Sequence, residues 1–214
     1  MTDIQHHVPD DLLMGYATGA LPRAFDLVIA THVSLSDEAR ARLEAYEAVG
    51  GAVLDTLDEA DLSDDCLQKT LAMVGDTARS DRPITPSGGT FPAPLRAAVG
   101  GDEDAVRWRS VGAGVKQCVL YSDDSGTARL LRIPAGRAMP EHSHHGTEMT
   151  LVLKGAFRDE DGVFSRGDIE VADAEVSHTP VAEPGEDCIC LVATNARLRF
   201  QGLLPRIAQP FVGI

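Results

Sequence analysis

The feature that most constrains this chain is a change of period partway along it. Up to about residue 78 the apolar residues recur at helical spacing, and beyond about residue 105 they fall into short alternating segments, so a helical unit and a β unit must follow one another. In the first part, Asp10 and Asp11 suit the start of a short helix, DLLMGYA. Pro22 suits the first turn of a second, PRAFDLVIATHVSL, whose Phe25, Leu27, Val28 and Ile29 form a broad apolar face. Ser36 is the expected N-cap of a third helix, with Asp37 and Glu38 at the positive end of its dipole and Leu43, Tyr46 and Val49 along one side. Gly50 and Gly51 are its expected end. A fourth helix, opened by Ser63, carries Leu67, Leu71 and Val74.

Residues 79–104 hold four prolines and four glycines with no sustained period, which reads as a linker. After it come VKQCVLY, ARLLRI, EMTLVLKG, DIEVAD, DCICLVA and LRFQGLL, short β-rich segments divided by turn formers such as Asp123-Asp124-Ser125-Gly126 and Pro134-Ala135-Gly136. Many short strands at regular spacing predict a sandwich or barrel. The expected organisation is α+β and multidomain: a helical bundle over 1–78, a linker over 79–104 and a β-barrel over 105–214.

Charge narrows the partners. The formal charge is −14, and residues 1–78 hold 15 acids against 4 bases. Such a chain is repelled by nucleic acid and by anionic membrane, so a basic protein is the better-matched partner. No segment approaches the roughly 18 apolar residues of a membrane helix, and the acidic start lacks the pattern of a signal peptide, so a cytoplasmic location is expected. Four scattered cysteines, Cys66, Cys118, Cys188 and Cys190, suit free thiols better than a disulfide scaffold. A homodimer stays open.

The densest chemistry lies in GRAMPEHSHHGTEMTLVLKG, where three of the seven histidines fall between positions 142 and 145. Residues two apart on a strand share a face, so His142 and His144 can look into one lumen; Glu148, heading the next apolar run, can approach the same centre, and His178 follows a strand pair later. Three imidazoles and a carboxylate suit a divalent ion: zinc first, with iron, nickel and manganese as alternatives. The competing reading is a set of surface histidines, but an ordered constellation outweighs it. His145 alternates away from His144 and is expected to point outward.

These residues resemble a known pattern. Gly136, His142, His144, Glu148 and Gly155 match the first cupin motif, G-x5-H-x-H-x3-E-x6-G. Of the second, Gly167 and His178 keep their places while Asp173, Glu175 and Ala182 replace its proline, glycine and asparagine. The implied fold is the cupin double-stranded β-helix, a jelly-roll barrel. The resemblance extends further. The segment HHVPDDLLMGYATGALPRAFDLVIATHVSLSDEARARLEAYEAVGG, together with VRWRSVGAGVKQ, LKGAFRDEDG, DCIC and LPRIAQPF, is similar over the full length to the ChrR-type anti-sigma factors. That resemblance implies an N-terminal unit that clasps an ECF-type sigma factor, and a cupin half needed for the response to singlet oxygen.

One departure stands out. The family's helical zinc site uses an early histidine and an H-x3-C-x2-C motif; here His7 and His32 remain, but Ser36 and Ala39 occupy the cysteine positions. Two imidazoles hold zinc poorly, so this site is expected to be empty or weakened, with His7 and His32 in packing or capping roles. Cys188 and Cys190, two apart on a strand, are expected as core residues, with Cys66, Cys118 and Trp108 as packing. The other function class is a cupin metalloenzyme, a dioxygenase or isomerase. Its acid, base or arginine clamp is not evident: Glu141, Arg137 and Arg158 are near the motif in sequence alone, and no catalytic residue is assigned.

Overall fold

The computed structural model describes residues 4–76, 88–140, 142–144, 146–173, 177–195 and 198–200, with the backbone alone at 75, 76, 142–144, 177 and 198–200. Glu141, His145, Glu175 and the closing LPRIAQPF lie outside the described residues. Five helices are described: α1 (Asp10–Ala17), α2 (Arg23–Leu35), α3 (Asp37–Leu54), α4 (Cys66–Asp76) and α5 (Ala93–Val99). The strands are β1 (Arg109–Gly112), β2 (Val115–Asp123), β3 (Gly126–Ile133), β4 (His142–His144), β5 (Glu148–Lys154), β6 (Ala156–Arg158), β7 (Val163–Ser165), β8 (Ile169–Ala172), β9 (Ser177–His178), β10 (Val181–Ala182), β11 (Cys188–Thr194) and β12 (Leu198–Phe200).

The helices start where local chemistry favours them. Pro9 and Pro22 precede α1 and α2, and the Ser36 side chain accepts a hydrogen bond from Ala39 N–H at 3.1 Å, capping α3. Three boundaries differ from expectation. Helix α3 runs through Gly50 and Gly51 to Leu54: both glycines are exposed, and an interior glycine costs only about 1 kcal/mol, which does not end a helix by itself. Helix α4 begins at Cys66, because the Ser63 hydroxyl bonds to the Asp65 carboxylate rather than to a helical N–H. Within the stretch expected as a linker, α5 forms between Pro92, which holds an extended entry, and Gly100, whose φ of 83° closes the helix in the left-handed region. Its Leu95 is fully buried.

The strands form one six-stranded antiparallel sheet in the order β1-β2-β3-β11-β5-β8 and two three-stranded sheets, β10-β6-β7 and β12-β4-β9. The large sheet buries both faces. Ala128, Leu130, Met149, Leu151, Leu153, Ile169 and Leu191 on one face join Leu13, Phe25, Val28, Ile29, Leu43 and Leu95 of the helices in a single core. The opposite face, carrying Ile133, Val152, Cys188, Cys190 and Val192, packs with Phe157 and Phe164 of the smaller sheet to fill the barrel. Helix α2 therefore lies on the barrel wall, and α1, α3 and α5 pack against it as a helical unit whose core is continuous with that face of the sheet. Helix α4 does not join this core: Leu67, Leu71, Met73 and Val74 are all exposed. Gly155 takes φ 67°, and a Cβ there would stand 2.8 Å from the Asp187 carbonyl, which explains why the turn after β5 uses glycine.

Candidate metal centre

Alternation along the large sheet sets the site. Strand β5 turns Met149, Leu151 and Leu153 toward the helices, so Glu148, Thr150 and Val152 face the barrel. The same parity puts Leu131 and Ile133 of β3, Glu170 of β8, and Cys190 and Val192 of β11 on the lumenal side, where with Met139, Phe157, His178 and Pro180 they line a cavity. Glu148 heads β5 and is buried, paired in register with Thr194. His178, also buried, ends β9, whose register sets it opposite His142 of β4; His144 lies two residues on in the same strand. The side chains of His142 and His144 are outside the described residues. The backbone thus brings β4 and β9 side by side, and the cavity holds Glu148 and His178 together.

Three residues around Glu148 and His178 were not anticipated. Glu170 Oε1 lies 2.7 Å from Nδ1 of His178, and Asp159 Oδ2 lies 3.6 Å from the same nitrogen. Arg129, buried in β3, donates to Gln117 Oε1 at 3.4 Å and interacts electrostatically with Glu148. Burial pushes Glu148 up to about 7, with His178 and Arg129 opposing the rise. Burial also pushes Glu170 up to about 7; the His178 hydrogen bond opposes this and the neighbouring Asp159 carboxylate adds to it. Burial works against charge on His178, yet Glu170, Glu148 and Asp159 outweigh it and hold the imidazole above its ordinary value.

Of the charged residues near the motif in sequence, Arg137 is exposed and Arg158 is an exposed partner of Glu183 at 2.6 Å. Neither is placed in the cavity lining. Cys188 and Cys190 are both free and buried in the barrel core with their sulfurs 3.5 Å apart. The adjacent Cys188 thiol and burial drive Cys190 well above the usual thiol range, which disfavours the reactive thiolate. Cys118 and Trp108 pack at the edge of the helix-facing core.

The four positions of the helical site converge. His7 and His32 rings are 6.0 Å apart, Ser36 Oγ is 3.5 Å from His7 Nδ1, and Ala39 is fully buried beside them. His7 Nε2 meets Glu38 at 3.2 Å. Both His32 nitrogens are engaged by backbone: in the Nδ1–H tautomer, Nδ1 donates to the Gly167 carbonyl at 2.9 Å and Nε2 accepts from Val8 N–H at 3.5 Å. Burial lowers His32 to about 4, so it packs as a neutral ring that ties α2 to the barrel.

Fold and site together define a cupin-type barrel with an N-terminal helical unit laid on its wall. Residues 96–197 match the ChrR Cupin-like domain family. The chain is 50% identical over 211 residues to the anti-sigma-E factor ChrR of Cereibacter sphaeroides, covering 99% of each chain. The chain belongs to the ChrR family of anti-sigma factors. Its structure aligns with that of Rhodobacter sphaeroides SigE in complex with the anti-sigma ChrR at a TM-score of 0.78, with 50% identity, over 90% of this chain and 99% of that one. An RmlC-like cupin from Ralstonia eutropha aligns over 47% of this chain and 70% of its own, at 25% identity and a TM-score of 0.43. No helix among the described residues is long and apolar enough to cross a membrane.

Proposed function

We propose that this chain is a cytoplasmic, non-enzymatic regulator that sequesters an ECF-type sigma factor through residues 1–78 and holds a divalent metal, zinc in the first place, in the barrel of residues 105–214, with 79–104 connecting them. The observation that carries the sigma reading is an exposed apolar series. Val49, Val53, Leu54, Leu57, Leu62, Leu67, Leu71, Met73 and Val74 are each between 59% and 76% exposed. Leu67, Leu71 and Val74 recur at i, i+4 and i+7 on α4, the spacing with which an amphipathic helix enters a partner's groove. Scattered apolar residues are ordinary on a surface, whereas a series of nine across α3, α4 and the connection between them marks an interface. One relative of known structure is an anti-sigma factor in complex with SigE. The acidic charge of the same segment suits a basic sigma surface.

The proposed ligands are His142, His144, Glu148 and His178. The donor set fits a divalent cation because three buried carboxylates, Glu148, Glu170 and Asp159, act on His178 while Arg129 is the buried guanidinium acting on Glu148. Buried charge without compensation is costly, and a divalent ion supplies the missing positive charge. The ion would tie β4, β5 and β9 together, converting binding energy into barrel stability. Release of sigma under oxidative stress, singlet oxygen in particular, would then depend on the state of this half.

The test is co-purification of the full chain with an ECF sigma factor, paired with metal analysis of the wild type and His178→Ala. Stoichiometric capture of sigma and one ion per chain, lost in His178→Ala, is expected. A chain that captures no ECF sigma factor removes the regulatory reading, and an unchanged metal content in His178→Ala removes the ligand set.

A further inference from the structure

The four-ligand reading leaves Glu170 and Asp159 without a role, although burying two carboxylates beside one imidazole is expensive. Their oxygens and the His178 ring nitrogen all lie within 4.8 Å of one another. The two residues come from different elements: Glu170 from the lumenal face of β8, and Asp159 from the turn after β6, where Asp161 N–H holds its Oδ1 at 2.9 Å. Asp159 Oδ2 is buried, and its carboxyl also acts on the neighbouring Glu170 carboxyl. Both carboxylates address the same atom, Nδ1, Glu170 at 2.7 Å and Asp159 at 3.6 Å.

We infer that Glu170, backed by Asp159, is a positioning residue for His178: it takes the Nδ1–H and so leaves the Nε2 lone pair as the only one the ring can present to an ion. An imidazole has two nitrogens, and a hydrogen bond at one fixes the tautomer and raises the basicity of the other. The 2.7 Å separation is that of a charge-assisted bond. It also fixes the ring plane of a side chain that is itself buried. Asp159 places a second negative charge near the same N–H and strengthens the effect. The inference rests on His178 being a metal ligand.

The experiment uses the full chain with zinc competed against a chromogenic chelator, and cobalt(II) absorption as a reporter of ligand geometry. Glu170→Gln keeps an acceptor but loses the charge and is expected to weaken zinc about tenfold; Glu170→Leu loses both and is expected to weaken it about a hundredfold. Asp159→Asn is expected to give a smaller loss, all three with a shifted cobalt spectrum and one ion per chain. If Glu170→Leu does not fold, Glu170→Gln and Asp159→Asn carry the comparison. A purely structural role would lower the melting temperature of these variants and leave affinity and spectrum at wild-type values, which overturns the inference. So would two ions in the wild type with one lost in Glu170→Gln, which would make the cluster a cation site of its own. His178→Ala separates the failures: if it binds zinc as the wild type does, the ligand assignment falls; if it loses zinc while Glu170→Gln does not, only the positioning role falls.

Discussion

His32 illustrates how a residue's role follows from its two ring nitrogens. Its Nδ1 faces the Gly167 carbonyl and its Nε2 faces the Val8 N–H, so a proton added at Nε2 would set donor against donor in a buried position. The folded value of about 4 lies below the 6.5 of an ordinary imidazole. Between those values the unfolded chain binds the proton and the folded chain does not, so this contribution is complete above about pH 6.5 and is lost as pH falls toward 4. Its size is on the order of 3 kcal/mol at about 1.4 kcal/mol per unit. Denaturant unfolding of the wild type and His32→Leu at pH 7.5 and 4.5 checks it: the wild type loses more stability than the variant on acidification, and parallel losses would refute the assignment. At the neighbouring positions, restoring Ser36→Cys and Ala39→Cys is expected to rebuild a zinc site, since both lie beside His7 and His32. Zinc analysis of the double variant showing no additional ion would refute that.

Among the elements, α4 is the one whose sequence pattern and structural position disagree. Its Leu67, Leu71 and Val74 have the spacing of a buried face, yet they face solvent in the isolated chain. Leu67→Asp with Leu71→Asp should therefore leave the melting temperature within about 1 °C, because exposed positions contribute little to folding. The pair should weaken sigma capture by at least a hundredfold, read by titration calorimetry; unchanged capture would place the interface elsewhere. The sequence announced the helices and six of the strands because their periods are local properties. It did not announce α5, whose prolines read as a linker although proline is well suited to a helix start. It announced Glu148 through motif spacing and missed Glu170 and Arg129 for one physical reason. An isolated strand with one polar face is read as half-solvated, and β3 and β8 have both faces covered, by helices on one side and by the lumen on the other. Their polar residues point inward, which only the packing of other elements decides.

For the whole molecule, α1, α2, α3 and α5 share a core with one face of the large sheet whose other face fills the barrel, so a charge change inside the lumen acts through that sheet on the stability of both. Glu148 and Glu170 have folded values of about 7, above the 4.5 of an ordinary glutamate. Without an ion the folded state therefore binds more protons than the unfolded state between about pH 4.5 and 7, and stability falls as pH rises through that window. His178, held above its ordinary value by the same carboxylates, contributes in the same direction, being stabilising at low pH and less so as pH rises. A divalent ion reverses this dependence, since it binds the ionised carboxylate and neutral imidazoles and must displace those protons. The gain in melting temperature between chelator and saturating zinc should then be small at pH 5.5 and large at pH 8, and it should appear equally at Trp108 in fluorescence and in helical dichroism. An equal gain at both pH values would separate the ion from these carboxylates, and a gain confined to Trp108 would show that the shared core does not transmit it.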